Sequence, residues 1–296
     1  MNRQIITLIR PCQWLKNVFV FTPLFFDCHA TDWNYVRPCI VAFIAFCLAA
    51  SGIYCFNDIC DAETDHRHPV KRKRPVASGA VNKRTAYTTM CTVWIAAFTL
   101  IALDCLYCGG IQKGLALMLV FYIVMNVAYC IKLKQIALLD IFIIATGFVL
   151  RIVAGGLATG IILSHWIVLT TFLLALFLAV AKRRDDVVIY ETSGVKARKN
   201  VVHYNMDFLN ISIGILGSIT IMCYILYTVS NEVVERIGSH YLYATSVFVL
   251  AGILRYMQLT FVDQKSGSPT MVLQHDHFIH VCIIGWIVAF TIILYT

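Results

Sequence analysis

Residues 36–65 read VRPCIVAFIAFCLAASGIYCFNDICDAETD. Up to Asn57 the run carries a single charge, at Arg37. An α-helix of about 20 such residues crosses the ~30 Å hydrocarbon layer of a bilayer. The next eight residues hold four carboxylates, at Asp58, Asp61, Glu63 and Asp65. A spanning helix that opens at one end into a cluster of acids predicts the fold class and the place of the polar chemistry together. Apolar runs recur near 15–31, 86–105, 114–131, 137–160, 162–181, 208–229, 240–262 and 278–296. With 36–57 they make nine expected spans. The expected fold is all-α, a polytopic membrane bundle of nine transmembrane helices forming one domain over 1–296. The run 15–31 is the weakest, because Pro23 interrupts it and Asp27 lies near its end. It is expected to be tilted or partly interfacial.

Composition agrees with this reading. Of 296 residues, 59% are hydrophobic and 14% charged, against roughly 45–50% and 25% in soluble domains. A soluble protein of this length has too little interior for so much apolar side chain, and disorder requires low hydrophobicity. Cys39, Cys47, Cys91, Cys130, Cys223 and Cys282 lie in apolar runs, where cysteine acts as a small hydrophobe. Cys105 and Cys108 form a Cys-x-x-Cys without a second pair, which does not point to a metal or redox site. No short apolar segment with a small-residue cleavage site opens the chain, so no cleaved signal peptide is expected.

The formal charge of +8 is read as topology rather than nucleic-acid binding. Nineteen of the 24 Lys and Arg fall in segments on the N-terminal side of the alternation. Only Arg37, Lys113 and Arg236 fall on the other, while Arg151 and Arg255 lie within spans. The positive-inside rule then puts the N-terminus in the cytoplasm and the C-terminus outside. The long polar segments 58–85 and 182–207, read as loops, fall on the cytoplasmic side.

At about 100° per residue, Asp58, Asp61 and Asp65 share one helix face. Like charges stacked this closely repel, and acids at a helix C-terminus oppose its dipole. A hard divalent cation relieves both, and an oxygen-only set without His or Cys suits Mg²⁺. The candidate metal ligands are Asn57, Asp58, Asp61 and Asp65. The alternative is a solvated acidic cap. A basic run follows, with Arg67 and then Lys71, Arg72, Lys73 and Arg74 between Pro69 and Pro75. Alone it is a topology signal. Beside the acids it suits a Mg²⁺–diphosphate site, the metal on one side and Lys and Arg donating on the other.

Asn57-Asp58-x-x-Asp61-x-x-x-Asp65, followed by His68-Pro69-x-Lys71-x-x-Arg74-Pro75-x-Ala77-x-Gly79, resembles the first Asp-rich motif of the UbiA prenyltransferase superfamily. More narrowly, the chain resembles its decaprenyl-phosphate phosphoribosyltransferase branch. Arg10-Pro11-x-Gln13-Trp14-x-Lys16-Asn17 and Phe21-x-Pro23-Leu24-Phe25-Phe26 are similar to that branch's N-terminus. So are Tyr129, Leu133-Lys134, Leu139-Asp140, Gly147 to Arg151, Ala154-Gly155, Ala181-Lys182-Arg183, Arg255-Tyr256, and Gly267 to Thr270 with Leu273 and Asp276. After the sixth span, where aromatic prenyltransferases carry a second Asp-rich motif, this chain has Lys182-Arg183-Arg184-Asp185-Asp186. The branch carries Glu where Asp186 stands. The basic character favours a substrate with more phosphate than one prenyl diphosphate.

The resemblance implies a UbiA-like bundle with a cytoplasmic-side, Mg²⁺-dependent active site. It implies transfer of 5-phosphoribose from phosphoribosyl diphosphate to a polyprenyl phosphate, with Asp58, Asp61 and Asp65 catalytic through the metal. Lys71 and Arg74 are expected at the leaving diphosphate. Lys16, Lys134, Lys182 and Arg183 are expected at the sugar 5-phosphate or the lipid phosphate. Arg151 is read as facing a cavity or reaching the outer surface, and Arg255 as cavity-facing or snorkelling. Asp140, eleven residues before Arg151 and on the same face, is read as its orienter or as an interfacial acid. Tyr129 is read as a phosphate ligand or an interfacial aromatic, and His203 and Tyr204 receive no role. The partners expected are the lipid, the sugar donor and the membrane, without nucleic acid, and homo-oligomers are compatible with the sequence. The alternatives are a prenyltransferase acting on an aromatic acceptor, in which the lipid is electrophile rather than nucleophile, and a transporter or lipid scaffold.

Overall fold

The computed structural model describes residues 3–27, 29–66, 71–108, 113–193, 199–264 and 269–295. Among them there is no strand. The helices in chain order are α1 (Arg3–Ile9), α2 (Thr22–Phe26), α3 (Trp33–Cys60), α4 (Ala62–His66), α5 (Lys83–Cys108), α6 (Lys113–Ile131) and α7 (Leu139–Thr159). There follow α8 (His165–Ser193), α9 (Met206–Val229), α10 (Asn231–Ile237), α11 (Ser246–Phe261), α12 (Pro269–His275) and α13 (His277–Tyr295). Among the described residues, eight helical stretches are long and apolar enough to cross a membrane: α3, α5, α6, α7, α8, α9, Tyr241–Phe261 and α13. They match the second to ninth expected spans.

The first expected span takes another form. Pro11–Phe21 is a 3₁₀ helix, and α2 continues it to Phe26. Pro11, at its start, has no N–H to offer the turn before it. Arg10 precedes it with φ 50° and ψ 63°, a left-handed turn that breaks the chain away from α1. A 3₁₀ helix rises about 2 Å per residue, so Pro11–Phe26 extends roughly 30 Å, enough to cover the hydrocarbon layer.

Caps set several boundaries. Asp32 accepts from the Asn34 amide (2.9 Å) before α3, Asn82 from Thr85 (2.7 Å) before α5, and Asn205 from Phe208 (2.8 Å) before α9. At about 1.5 Å per residue, α3 and α8 are each just over 40 Å long and outrun the hydrocarbon layer. The segment 182–207, expected as a loop, is helical as far as Ser193. Residues 182–191 read Lys-Arg-Arg-Asp-Asp-Val-Val-Ile-Tyr-Glu, and no Gly or Pro intervenes before Gly194, so no strong breaker stops the helix earlier.

The chain forms two compact units, Met1–Lys134 with Thr146–Leu163, and Gln135–Ala145 with Ser164–Thr296. In the first, α3 is the axis. Its Ala42, Ala45, Phe46, Ala49 and Ile53 bury against Leu115, Leu119, Tyr122, Leu150 and Ala154. Small residues let neighbours approach closely without help from water. The tightest approach is at Gly155, where a Cβ would stand 2.0 Å from the Val20 carbonyl oxygen of the 3₁₀ segment. In the second unit, Phe177, Leu209, Ile213, Ile253 and Phe290 are buried. Large apolar side chains such as Leu106, Leu117, Val124, Ile211, Met222 and Ile284 remain exposed, the surface a bilayer covers.

Candidate active site

In the first unit the carboxylates gather where α3 ends. The helix breaks at Asp61 and resumes as α4, with the Asp61 amide on the Asn57 carbonyl (2.9 Å) and the Asp65 amide on the Asp61 carbonyl (2.8 Å). Arg74 Nη1 donates to Asp65 Oδ2 at 2.6 Å and lies 3.4 Å from Asp58 Oδ1, joining those two. Asp61 pairs instead with Lys134, Nζ to Oδ1 at 2.6 Å. Arg10 Nη2 donates to Asp58 Oδ1 at 2.5 Å, and its guanidinium lies 5.0 Å from the centre of the Tyr54 ring. Three acids thus face three bases. Asp58 is buried, and its Oδ2 has no hydrogen-bond partner among the described residues.

Arg74 is held from below. Its amide meets the Lys71 carbonyl (2.9 Å), and the Ser78 amide returns to the Arg74 carbonyl (2.8 Å). Val76 and Val81 bury with Ile59 and Ala62, and the His66 ring bonds the Ala77 carbonyl (3.0 Å). Pro75 is buried within this loop. His68 and Pro69 lie outside the described residues. The chain on either side of Arg10 is tied to Ser51, whose hydroxyl lies 2.9 Å from the Ile9 carbonyl and 2.8 Å from the Cys47 carbonyl and accepts from Trp14 Nε1 (3.0 Å).

Arg151 is buried in the same unit. It donates to Asn17 Oδ1 (2.7 Å), the Gly147 carbonyl (2.6 Å) and the Tyr122 hydroxyl (2.8 Å), and it lies over the Tyr122 and Phe148 rings. Every one of these partners is neutral. A buried cation without a carboxylate is costly, and such residues inside spans mark polar ligands. Of the other expected residues here, Asn57, Lys16 and Lys71 are half-buried, and Tyr129 packs partly against the core.

The second unit holds a separate polar cluster. Arg183 is fully buried, donating from Nε to Asp140 Oδ2 (2.6 Å) and from Nη1 to Asp186 Oδ2 (2.5 Å). The Tyr204 hydroxyl donates to Asp140 Oδ1 (2.9 Å) and accepts the Leu138 amide (2.7 Å). Asp140 therefore orients Arg183 and not Arg151. Burial first, then the Asp140 charge, pushes the Tyr204 phenol up to about 12. Lys182 is half-buried. Arg255 pairs with Asp276 (2.9 and 3.2 Å) and Gln258 (2.8 Å), and its hydrogen bonds hold the Asp276 carboxyl below the usual range. Gly267 and Ser268 lie outside the described residues.

Sequence reasoning noticed Arg10 and Asn17 only as motif letters and gave Tyr204 and Tyr122 nothing. Asp58, Asp61, Asp65 and Arg74 lie within 17 residues and were legible. Arg10 meets Asp58 across 48 positions and Asn17 meets Arg151 across 134, which no local spacing encodes.

Among the described residues, no three His, Cys, Asp or Glu side chains already stand as a metal cage; the bases hold the acids. The donor set still suits a hard cation. It is oxygen-only, and Asp58 presents a buried carboxylate oxygen without a hydrogen bond.

A model of the UbiA prenyltransferase family matches residues 19–279. The chain belongs to the UbiA family. Decaprenyl-phosphate phosphoribosyltransferase of Mycolicibacterium smegmatis is 32% identical over 294 residues, covering 96% of this UbiA-family chain and 90% of its own. The enzyme of that name from Corynebacterium glutamicum is 33% identical over 295 residues, covering 98% and 86%. Among solved structures, a UbiA homolog from Archaeoglobus fulgidus bound to GPP and Mg²⁺ superposes with TM-score 0.70 at 16% identity, covering 99% of this chain and all of that one. That likeness establishes the UbiA fold.

Proposed function

We propose that this UbiA-family protein is a membrane phosphoribosyltransferase, moving 5-phosphoribose from phosphoribosyl diphosphate to a polyprenyl phosphate and releasing diphosphate. The observation that carries the reading is the matched set of three acids and three bases at the end of α3. Its support is relatives of that activity about one-third identical over nearly the whole chain. Asp58, Asp61 and Asp65, with Asn57 beside them, are the residues that would hold Mg²⁺. Such a cation supplies Lewis-acid stabilisation of a departing diphosphate. Lys71 and Arg74 add positive charge to the same leaving group. Development of charge on the anomeric carbon resembles that at glycosidic centres, and the lipid phosphate is already anionic, so no strong base is required. Lys16, Tyr129, Lys134 and Arg151 are the first unit's candidates for the remaining phosphates. Among them Arg151 stands out, because its partners are all neutral. Lys182 is the second unit's candidate, and Arg183, enclosed by Asp140 and Asp186, is read as positioning it. The eight candidate spans among the described residues, taken with Pro11–Phe26, would make an odd number of crossings. With the Lys and Arg bias, such a number supports a cytoplasmic N-terminus and an outer C-terminus.

The purified full-length protein, given labelled phosphoribosyl diphosphate, decaprenyl phosphate and Mg²⁺, is expected to move label into the lipid phase. Asp61→Ala is expected to abolish transfer while keeping a cooperative thermal transition. Turnover only with a polyprenyl diphosphate and an aromatic acid would replace this reading by aromatic prenylation.

A further inference from the structure

Arg10, Arg74 and Lys134 each occupy one of the carboxylates that a divalent cation would need. Resting on the phosphoryl-ligand reading above, we propose that these three bases are exchangeable counter-ions, and that Arg10 is a further diphosphate-binding residue. They neutralise Asp58, Asp65 and Asp61 at 2.5, 2.6 and 2.6 Å. A divalent cation entering the acids must displace them. Their side chains are only 23%, 25% and 17% exposed, so the displaced charges are not freely hydrated and are costly to leave alone. Diphosphate is the ligand that repays this cost, since it brings several anionic oxygens to Arg and Lys donors. Cation and diphosphate therefore bind with positive, reciprocal coupling, each weakly without the other.

Arg10 is built for such a move. Its left-handed backbone (φ 50°, ψ 63°) is one that a non-glycine residue holds at a cost. The turn is pinned from both sides through Ser51, so only the side chain is left to swing. Tyr54 lies under the guanidinium at 5.0 Å, a face on which a released Arg remains stabilised. The unbonded Oδ2 of Asp58 shows that Arg10 satisfies one carboxylate oxygen and leaves the other for a second ligand.

The test reads binding, not turnover. Mn²⁺ serves as the probe because free aquo-Mn²⁺ is counted directly by electron paramagnetic resonance. With the full-length protein at pH 8 and no diphosphate, Arg10→Gln is expected to bind Mn²⁺ roughly fivefold more tightly than wild type, since a competing ion pair has gone. In saturating Mn²⁺ the same variant is expected to bind inorganic diphosphate about tenfold more weakly. Arg10→Lys keeps the charge and is expected to stay near wild type in Mn²⁺ affinity. If Arg10→Gln fails to fold, Lys134→Gln carries the same opposite-signed expectation at Asp61. A purely structural role would weaken both ligands together, so Mn²⁺ binding that is unchanged or weaker in the Gln variants overturns the exchange. Absence of saturable Mn²⁺ binding in wild type, with or without diphosphate, overturns instead the metal reading on which it rests.

Discussion

The Tyr204 hydroxyl sits between a carboxylate and a backbone amide, so removing its proton would set a phenolate against Asp140. Burial and that charge raise its pKa to about 12, against about 10 in an unfolded chain. The sign follows directly. The protonated phenol is favoured by the folded state, so its contribution is complete below pH 10 and is lost as pH rises towards 12. Tyr204→Phe is expected to lower stability at pH 8 by about 1–2 kcal/mol, the worth of a hydrogen bond to a charged acceptor. The gap in thermal midpoint between the two proteins should then narrow from pH 10 to 12. A gap constant across that range would show that the phenol does not titrate as placed. The residue also marks where sequence reading stops. Asp140 and Tyr204 are 64 positions apart, and neither residue type nor periodicity in that interval announces the contact. The acids after Asn57 were legible because charge repulsion within one short stretch is itself the signal.

Whole elements carried more of their structure in the sequence, since length and hydropathy are summed over twenty residues and tolerate local error. Eight spans follow the apolar runs for that reason. The two departures have local causes. A left-handed Arg10 and Pro11 turn the first run into a 3₁₀ segment, and the lack of any Gly or Pro carries α8 through its charged stretch to Ser193. The 3₁₀ segment then packs at backbone distance on α7, where Gly155 faces the Val20 carbonyl. Gly155→Ala is expected to cost about 1–3 kcal/mol, as overpacking against rigid backbone does. Gly214, within α9, would place a Cβ in open space. Gly214→Ala is therefore expected to stabilise by about 0.5–1 kcal/mol. Thermal midpoints measured in the same detergent should move in opposite directions; a Gly155→Ala midpoint equal to wild type would mean that α7 and the 3₁₀ segment are not in such close register.

At the scale of the molecule, the distribution of charge makes a claim about sides. Phosphoribosyl diphosphate is a polyanion that cannot cross hydrocarbon unaided, so a protein using it must present Asp58, Arg74 and Lys134 to the compartment that holds it. The orientation proposed above, from the excess of Lys and Arg on one set of segments, puts that face in the cytoplasm. Two exposed positions test it, Lys73 in the 3₁₀ turn beside Arg74 and Glu235 in α10. Between them lie α5 to α9, an odd number of candidate spans, so they must fall on opposite sides. In a background with the native exposed cysteines replaced by Ser, Glu235→Cys is expected to react with a membrane-impermeant maleimide in intact cells. Lys73→Cys should react only after permeabilisation. Both reacting in intact cells would mean that one of the five helices does not cross. The reverse pattern would put the acids and bases of α3 outside, away from the pool of sugar diphosphate that the proposed chemistry consumes. The charge bias and the donor's impermeability are independent arguments, and the labelling is the one measurement on which they must agree.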